Sequence, residues 1–548
     1  MASDKKIRTY IDDVPEDEKE RLSKAWGERK TETYVAAQKH GTKIKQGDSF
    51  NKVAMFELYP GLYHLTSDIA STKDISPEHS DAGALSSGLI KKMVAMEKTN
   101  GCTPMFASNV CDWDSAYAKG VGANMRLRNS VINACIDNDV VLTGGETANL
   151  PDQVRKSGMS WMFTLLSRYD GSTKPTIFAD NSMDSDLYET FDHVADSENF
   201  QIVSKNGMPF IRVNKKSSFL MTADGTGSKS MVCYQIDKMT DIEDTLAMAG
   251  DDGPRDGAIP IFASVGVHAE NSTGKYQIVN YMSLAGRKHM IPLLGCVFHE
   301  SDDVNTYIMN GVVLSEVREE LAQTGKKIEP GIGLVLLYEE QRSNGITTQR
   351  RVLSETFGEK WYEVNVSEAF GYLNKKLGGK YSKLAFDDER TLGELVAQPS
   401  TPYFRVDSMM PEEILDKIKF RINVSSGGLI GKTRRLLEPL GIGADYSDVF
   451  DAPRLIPLLQ MASRLESSKG LIPDDVAYYT WGCGNGAVIG TTDPVSVRDY
   501  YQDNDIRAKI GGVVKAYPGI SVASRCLDSK LHSGQYVINH KYTEKPLG

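Results

Sequence analysis

The sequence predicts an α+β fold of α/β layers, in which two similar domains precede a third, different one. The stretch "GCTPMFAS" at Gly101 is nearly repeated as "GAIPIFAS" at Gly257. Strand-like stretches such as "SSFLMTAD" and "YIMNGVVLSEV" alternate with helix-like ones such as "MRLRNSVINACIDN". At 548 residues, the chain is too long for one core and is expected to form two to four domains.

Three matched stretches in the same order support a duplication. Gly101 and Gly257 are 156 residues apart, and the same shift carries "TSDIASTK" onto "TADGTGSK". A shift of 154 residues places "GGETANL" over "FHESDDV", with Glu146 on Glu300. A nearly constant period over three stretches indicates a duplicated domain.

The stretches around the repeats set the expected boundaries. The segment between the copies is acidic and turn-rich, as a linker would be, and the last region opens with the apolar strand "GIGLVLLYEE" and holds no third copy. We therefore predict a charged extension over 1–29, a first repeat over 30–170, a linker over 171–199, a second repeat over 200–325 and a C-terminal domain over 326–548.

Composition and charge exclude several classes of protein. The hydrophobic fraction is 40% and the charged fraction 25%, and no apolar run approaches the ~20 residues that cross a membrane. The charged start of the chain argues against a secretory signal, so a cytoplasmic location is expected. A net charge of −10 disfavours nucleic-acid binding. Seven scattered cysteines without a C-x-x-C pair disfavour disulfides and zinc, and are expected to be buried apolar residues.

The second repeat carries residue types suited to a nucleotide with Mg²⁺. In "DGTGSK" the glycines let the backbone approach an anion, the aspartate can hold a hard cation, and the lysine adds a positive charge. An ordinary turn is the alternative for any single Gly-Asp stretch, but the duplicated acidic positions favour a site. The residues concerned are Asp224, Gly225, Gly227, Lys229, Asp251, Asp252 and Glu300.

The first repeat is altered where the second is intact. Its "DIASTK" lacks both glycines, and Met96 stands at the position equivalent to Asp252. It keeps "GGET", where the second repeat has "FHES". The two copies are therefore predicted to complement each other.

The C-terminal region adds a glycine turn. "SGGLIGKT" is a Walker A pattern except for Ser426, and it lies between a strand-like and a helix-like stretch. An anion-binding turn is the preferred interpretation. Cys483 in "WGCGNGAVIG" is interpreted as a packed thiol rather than a nucleophile, because no histidine base accompanies it in sequence.

Together these stretches resemble the aminoimidazole ribonucleotide synthetase superfamily, named for phosphoribosylformylglycinamidine cyclo-ligase. "LTGGETANLPDQV" is similar to the family's G-G-E-T-A-E-M-P motif, and "TADGTGSK" to its D-G-V-G-T-K loop. In the last domain, "SNGITTQRRVL" resembles S-N-G-Y-S-L-V-R, "PSTPYFR" resembles P-T-R-I-Y-V-K, and "WGCGNGAVI" resembles F-N-C-G-V-G. The motifs keep the family order over most of the chain.

The resemblance implies an architecture. Family subunits have one N-terminal domain, whose strands close a barrel with a second subunit, and one C-terminal α/β domain. Here the two tandem repeats are expected to form that pseudo-dimeric β-barrel within one chain, which would bury edges otherwise exposed. The chain would then be a monomer with an internal pseudo-dimer, or a homodimer.

The resemblance also implies an activity, with ATP and Mg²⁺ as cofactors and a ribonucleotide as substrate. The family reaction phosphorylates a formyl-amide oxygen, after which a nitrogen attacks and closes the imidazole ring. By resemblance, Asp224, Lys229 and Asp252 are catalytic, and Asp224, Asp251, Asp252 and Glu300 bind the metal. The expected cofactor or substrate contacts are Asp68, Lys73, Gly144, Gly145, Glu146, Thr147, Gly225, Gly227, Ser343, Asn344, Gly345, Gly427 and Gly428.

Three departures from the family leave alternatives open. Arg342 and Asn423 replace family histidines, and Thr401 replaces an arginine. The changes affect the substrate side more than the nucleotide side. The alternatives are a relative that phosphorylates another amide, carboxylate or phosphate acceptor, and a non-catalytic structural or regulatory homologue.

Overall fold

The structure is a computed structural model, and it describes most of the chain. The described residues are 29–46, 54–71, 82–113, 121–150, 153–155, 158–171, 175, 183, 187, 199–205, 208–271, 274–318, 322–323, 326–384, 386–465, 471–531 and 537–542. The predicted extension over 1–29 and linker over 171–199 lie almost entirely outside these ranges. Within them, none of the helices has the length and apolar character needed to span a membrane.

The chain divides into two compact units. The first comprises Met1–Gly225 with Pro260–Val317, and the second comprises Thr226–Ile259 with Arg318–Gly548. Residues 226–259, which fall inside the predicted second repeat, thus belong with the C-terminal residues.

The first unit is mainly β-structure. Its strands are β1 Ile44–Gln46, β2 Ala54–Leu58, β3 Gly61–Ser71, β4 Cys102–Trp113, β5 Val141–Leu142, β6 Glu146–Asn149, β7 Met159–Tyr169, β8 Phe200–Lys205, β9 Met208–Val213, β10 Ser217–Gly225, β11 Ala258–Ala269, β12 Val297–Glu300 and β13 Tyr307–Val317. Its helices are a 3-10 turn at Thr31–Tyr34 and the α-helices Val35–Lys39, Ala82–Thr99, Val121–Asp137 and Lys275–His289.

These strands form two sheets with one plan. One sheet has the order β5-β4-β7-β3-β9-β8, with β6 also pairing with β4, and the other has the order β12-β11-β13-β10-β2-β1. In each sheet the long strand at the repeated "PMFAS" or "PIFAS" pairs with a short parallel strand. The β4-β6 ladder is also parallel, and the other ladders are antiparallel.

The outer hairpins are exchanged between the sheets. The hairpin β1-β2 precedes the strands of the first repeat but pairs with β10, where Phe56 lies opposite Phe219. The hairpin β8-β9 precedes the strands of the second repeat but pairs with β3, where Tyr63 lies opposite Ile211. Each sheet therefore holds strands from both halves of the unit.

The two sheets share an apolar core. The rings of Phe56 and Phe106 stack with centroids 3.9 Å apart, and the hydroxyls of Ser67 and Ser264 lie 2.6 Å apart. Strand β4 is buried along nearly its whole length, because helix Ala82–Thr99 packs on its other side. In the described residues the sheets are separate hydrogen-bonded sheets, so the intrachain barrel stays a prediction.

The second unit is built on one mixed sheet with the order β15-β17-β14-β18-β16-β19-β20. The strands are β14 Gly333–Tyr338, β15 Ile418–Asn423, β16 Gly443–Tyr446, β17 Asn485–Thr491, β18 Ala508–Lys515, β19 Gly519–Ala523 and β20 Val537–His540. The α-helices are Lys229–Gln235, Asp241–Gly250, Ile346–Phe357, Val366–Lys376, Leu392–Val396, Phe404–Ser408, Glu412–Leu415, Gly428–Leu437, Leu455–Leu465, Asp474–Thr480 and Pro494–Asp503.

Both faces of this sheet are covered. On β14, Leu334 and Leu336 point into one apolar core, while Val335 and Leu337 point into another on the opposite face. All four side chains are fully buried. Such two-sided burial explains why "GIGLVLLYEE" has a continuous apolar run instead of an alternating one.

Candidate active site

In the first unit, a hydrogen bond joins the two sheets near the predicted nucleotide motifs. Asn310 Nδ2, on β13, donates to Asp112 Oδ2, on β4, over 2.6 Å. Asn310 lies opposite Gly225 in the β10-β13 ladder. A Cβ atom on Gly225 would lie 2.2 Å from Asn310 Oδ1, so a larger residue would displace the Asn310 side chain. The "DGTGSK" segment of the second repeat therefore begins beside a strand of the first repeat.

The same place brings "GGET" and "DGTGSK" together. Strand β6 begins at Glu146 and runs parallel to β4, with Ala148 opposite Asp112. Strand β10, which ends with Asp224 and Gly225, packs against β6. Asp224 is half-buried and its Oδ1 accepts a 2.7 Å hydrogen bond from the Gly225 amide. Two motifs that the sequence assigns to different repeats thus meet in this unit.

The charged groups of this cluster shift one another's pKa values. Burial raises the pKa of Asp112 to about 7, the hydrogen bond from Asn310 opposes the rise, and the negative charge of Glu146 adds to it. Arg128 contacts Thr147 Oγ1 through Nη2 over 3.4 Å. Burial lowers the pKa of Arg128, and Glu146 opposes that shift.

Three carboxylates on neighbouring strands are the candidate ligands for Mg²⁺, although their oxygens do not all lie within 4.8 Å of one another in the described residues. Asp112, Glu146 and Asp224 offer carboxylate oxygens, which are the ligands that this hard cation prefers. Among the described residues, Asn310 Oδ1 is buried and has no hydrogen-bond partner. An unpaired buried oxygen beside carboxylates is the kind of group that a cation or its bound water would satisfy.

The equivalent place in the other sheet is different. Asp68, which corresponds to Asp224 in sequence, is buried, and the Lys92 ammonium lies 2.9 Å from its Oδ2. Strand β3, which holds Asp68, packs against β12, which ends at Glu300. Asn310 is replaced there by Met162, which lies opposite Ile69 in the β3-β7 ladder. Lys73 lies outside the described residues.

In the second unit, Lys229 is an internal residue of the fold. Its side chain is fully buried, and Nζ lies 2.8 Å from Asp244 Oδ1 and donates to the Gln398 carbonyl. Asp244 also accepts hydrogen bonds from Ser343 Oγ, over 2.9 Å, and from the amide of Ser400, over 3.2 Å. The predicted phosphate-binding lysine is therefore paired with a carboxylate that the sequence did not single out.

Asp251 likewise belongs to a buried ion-pair network. Arg342 donates through Nη2 to Asp251 Oδ2, over 2.7 Å, and through Nη1 to Glu339, over 3.1 Å. The Phe404 amide donates to Asp251 Oδ1 over 2.9 Å. Burial raises the pKa of Asp251 although Arg342 opposes it, and burial also raises the pKa of Glu339 to about 8. Thr401 donates to Glu339 through its amide and hydroxyl.

Asp252 has a different environment from its neighbour. Asn423 Nδ2 donates to Asp252 Oδ1 over 3.1 Å. Burial alone would raise the pKa of Asp252, but the positive charges of Lys432 and Arg255 outweigh it, and the pKa is lowered. Asp252 is thus held as a carboxylate in a positive surrounding that includes the lysine of "SGGLIGKT".

The predicted glycine turns of this unit meet at one segment. Gly345 precedes helix Ile346–Phe357, and Asn344 Nδ2 donates to the Thr480 carbonyl over 2.8 Å. Gly427 and Gly428 begin helix Gly428–Leu437 with φ values of 97° and 59°. A Cβ atom on Gly428 would lie 2.3 Å from the Tyr478 carbonyl oxygen. The loops around Ser343–Gly345 and Gly427–Gly428 therefore both pack on residues 478–481.

Sequence reasoning missed Asp112, Asn310 and Lys92. Asp112 and Asn310 are 198 residues apart, and each lies inside an apolar strand. The alignment of the repeats did carry a signal. The 156-residue shift aligns Asp112 with His268 and Lys92 with Met248, so neither residue is the same in the two repeats.

No protein-family model matches the sequence, and no curated protein matches it. Among solved structures, thiamine-monophosphate kinase from Stenotrophomonas maltophilia K279a has 12% identity over 63% of this chain and 96% of its own, with a TM-score of 0.41. Phosphoribosylformylglycinamidine synthase II from Thermotoga maritima has 12% identity over 62% of this chain and 47% of its own, with a TM-score of 0.37. Hydrogenase maturation protein HypE in complex with ATP has 13% identity over 67% of this chain and 95% of its own, with a TM-score of 0.37.

Proposed function

We propose that this protein is an ATP- and Mg²⁺-dependent enzyme of the aminoimidazole ribonucleotide synthetase superfamily. Its assigned reaction is the cyclo-ligase step, in which formylglycinamidine ribonucleotide becomes aminoimidazole ribonucleotide. The observation that carries the proposal is the meeting of "GGET" and "DGTGSK" around the Asn310–Asp112 hydrogen bond. Both motifs belong to the resemblance.

The first unit would bind the metal and the nucleotide phosphates. Asp224, Glu146 and Asp112 would hold Mg²⁺, and the absence of a side chain at Gly225 would allow the phosphates to approach. When bound, the metal neutralises the charge that develops on the phosphates. Arg128 would add a fixed positive charge beside Glu146.

The chemistry of the assigned reaction needs positioning more than a strong base. Transfer of the γ-phosphoryl group to the formyl-amide oxygen makes that oxygen a good leaving group. An amine nitrogen of the same substrate then attacks the carbon, the imidazole ring closes, and inorganic phosphate leaves with the former amide oxygen. The glycine turns at Ser343–Gly345 and Gly427–Gly428 would hold the substrate and its ribose phosphate.

One nucleotide is expected for each chain. At the place equivalent to Asp224, the carboxylate of Asp68 already has the Lys92 ammonium 2.9 Å away. An ammonium of the same chain, in contact with the carboxylate, supplies positive charge of the kind that a metal would bring. The first repeat also lacks the glycines of the phosphate loop.

The domain duplication is part of the same proposal. Its support is the shared strand order of the two sheets and the exchange of the hairpins β1-β2 and β8-β9. An exchange of this kind within one chain would replace the contact between two subunits. The protein would then act as a monomer with an internal pseudo-dimer.

A second candidate is a relative with a different phosphoryl acceptor. Arg342, at a family histidine position, is buried and pairs with Asp251 and Glu339 through its two terminal nitrogens. Thr401, at the family arginine position, donates to Glu339. Both side chains already have partners within the protein, whereas the resemblance implies that the family histidine and arginine contact the substrate.

The test is ADP release by the purified full-length protein with Mg²⁺-ATP, with and without formylglycinamidine ribonucleotide. Substrate-dependent ADP release that Asp224→Asn abolishes and the exposed control Asp137→Asn leaves intact would support the cyclo-ligase. If ATP binds but this substrate does not stimulate ADP release, the result would support the second candidate instead. Absence of both ATP binding and turnover would overturn the proposal and leave a non-catalytic homologue.

A further inference from the structure

A buried group of three metal-ligating side chains lies in the first unit. His64 on β3, Glu97 in helix Ala82–Thr99 and Cys102 at the start of β4 place one ligand atom each within 4.8 Å of the others. Their exposed fractions are 4%, 0% and 2%. The three residues come from three different elements, so the fold, and not a local turn, brings them together.

The polar atoms of this cluster are incompletely satisfied. His64 Nδ1 lies 2.9 Å from Glu97 Oε1. Glu97 Oε2 is buried and has no hydrogen-bond partner among the described residues. A buried carboxylate oxygen without a partner costs free energy unless another group satisfies it. Within the described residues, no other three histidine, cysteine or acidic side chains meet this closely.

The surroundings would hold the three ligands in place. The ring of His64 packs against Phe210 with centroids 5.3 Å apart, and Cys102 belongs to a small apolar cluster with Met208 and Phe210. Cys102 Sγ points at the Asn100 carbonyl over 3.9 Å. An apolar shell of this kind excludes water and strengthens binding to a cation.

We propose that His64, Glu97 and Cys102 form a structural Zn²⁺ site. An imidazole nitrogen, a carboxylate oxygen and a thiolate are all zinc ligands, and a thiolate disfavours Mg²⁺ or Ca²⁺. The absence of a C-x-x-C pair does not exclude a site that uses a single cysteine. This proposal is independent of the ATP site.

The required rearrangement is small. In a tetrahedral zinc site, bond lengths of about 2.0–2.3 Å place neighbouring ligand atoms about 3.3–3.8 Å apart. Ligand atoms up to 4.8 Å apart need to approach by about 1 Å, whereas His64 Nδ1 and Glu97 Oε1, now 2.9 Å apart, need to separate slightly. Binding would release the thiol proton of Cys102, and a thiolate with a carboxylate would neutralise the dipositive ion. The fourth position would be filled by the Asn100 carbonyl oxygen, which lies beside Cys102 Sγ.

The first measurement is the zinc content of the full-length protein, reconstituted with Zn²⁺ and dialysed, by mass spectrometry. One equivalent per chain is expected, and chelation should lower Tm by about 2 °C or more. X-ray absorption at the zinc edge should show one sulfur ligand together with nitrogen and oxygen ligands. This spectrum needs no variant, so it tests the site even where a substitution prevents folding.

Variants then place the zinc. Cys102→Ser and Glu97→Gln should lose the bound equivalent, whereas the matched control Cys135→Ser, another buried cysteine, should retain it. Protein without zinc after reconstitution, a zinc spectrum without sulfur, or zinc retained in both variants would each overturn the proposal. ATP hydrolysis is measured in parallel, and its absence would affect only the proposed function.

Discussion

Asn310 Nδ2 donates a 2.6 Å hydrogen bond to Asp112 Oδ2, across 198 residues of sequence. The bond fixes the end of β4 beside the strand that leads into "DGTGSK". It is present in one half of the first unit only, because Met162 occupies the position equivalent to Asn310 in the other half. This pair therefore distinguishes two otherwise similar sheets.

Substitution Asn310→Ala should weaken Mg²⁺-ATP binding by about tenfold or more, because it removes a hydrogen bond to a carboxylate and the orientation that the bond provides. Isothermal titration of the purified variant measures the change. Asn280→Ala, at an exposed position of helix Lys275–His289, is the control. Unchanged affinity in the Asn310 variant would remove this pair from the site.

Titration with a non-hydrolysable ATP analogue should give one site per chain. Asp224→Asn should abolish this binding, and Asp68→Asn should leave it within about threefold, because Asp68 is already paired with Lys92. Two sites of similar affinity in the wild type would contradict the proposed difference between the two halves.

Substitution Lys229→Met should destabilise the protein by about 3–5 kcal/mol, since it leaves the buried carboxylate of Asp244 without its cation. Urea unfolding measures the free energy. Lys360→Met, at an exposed lysine paired with Glu363, should change it by less than about 1 kcal/mol. A Lys229 variant of normal stability that no longer turns over ATP would instead support the phosphate-binding role predicted from the sequence.

The acid stability of the second unit should depend on Asp388. Hydrogen bonding from Arg390 lowers the pKa of Asp388 to about 2, and Arg454 Nη1 also lies 2.9 Å from its Oδ2. Because the pKa in the folded state is below the unfolded value, this contribution to stability is complete above about pH 4 and is lost as the pH falls towards 2.

Asp388→Asn should therefore lower Tm at pH 6 and reduce the further loss of Tm between pH 4 and pH 2.5. Differential scanning fluorimetry across this range measures both effects. Asp503→Asn, at an exposed position, should follow the wild type. A steeper acid loss in the Asp388 variant would show that the sign of the argument is wrong.

The sequence predicted the long strands well, because their residues repeat. The matched "PMFAS" and "PIFAS" stretches lie in β4 and β11, and each strand is the second from one edge of its sheet. It could not predict which hairpin pairs with which sheet. That choice depends on contacts between strands far apart in the chain, such as Phe56 with Phe219.

The candidate site was predictable only in part. Asp224 and Glu146 were found because glycine-rich motifs surround them. Asp112 was missed because it ends a buried strand and no polar neighbour marks it. Lys229 was assigned to phosphate from its motif, but its partner Asp244 comes from the following helix, and a motif carries no information on such a pair.

The exchanged hairpins make the first unit an interlaced structure. A fragment that ends in the linker would keep the hairpin β1-β2 but lose β10, the strand with which that hairpin pairs. The other fragment would keep the hairpin β8-β9 but lose its partner strand β3. Each fragment would expose an unpaired sheet edge and an unpaired hairpin, both of which can associate with other chains. Neither half is a self-sufficient module, and co-expressed halves should recover the native structure only by rejoining each other.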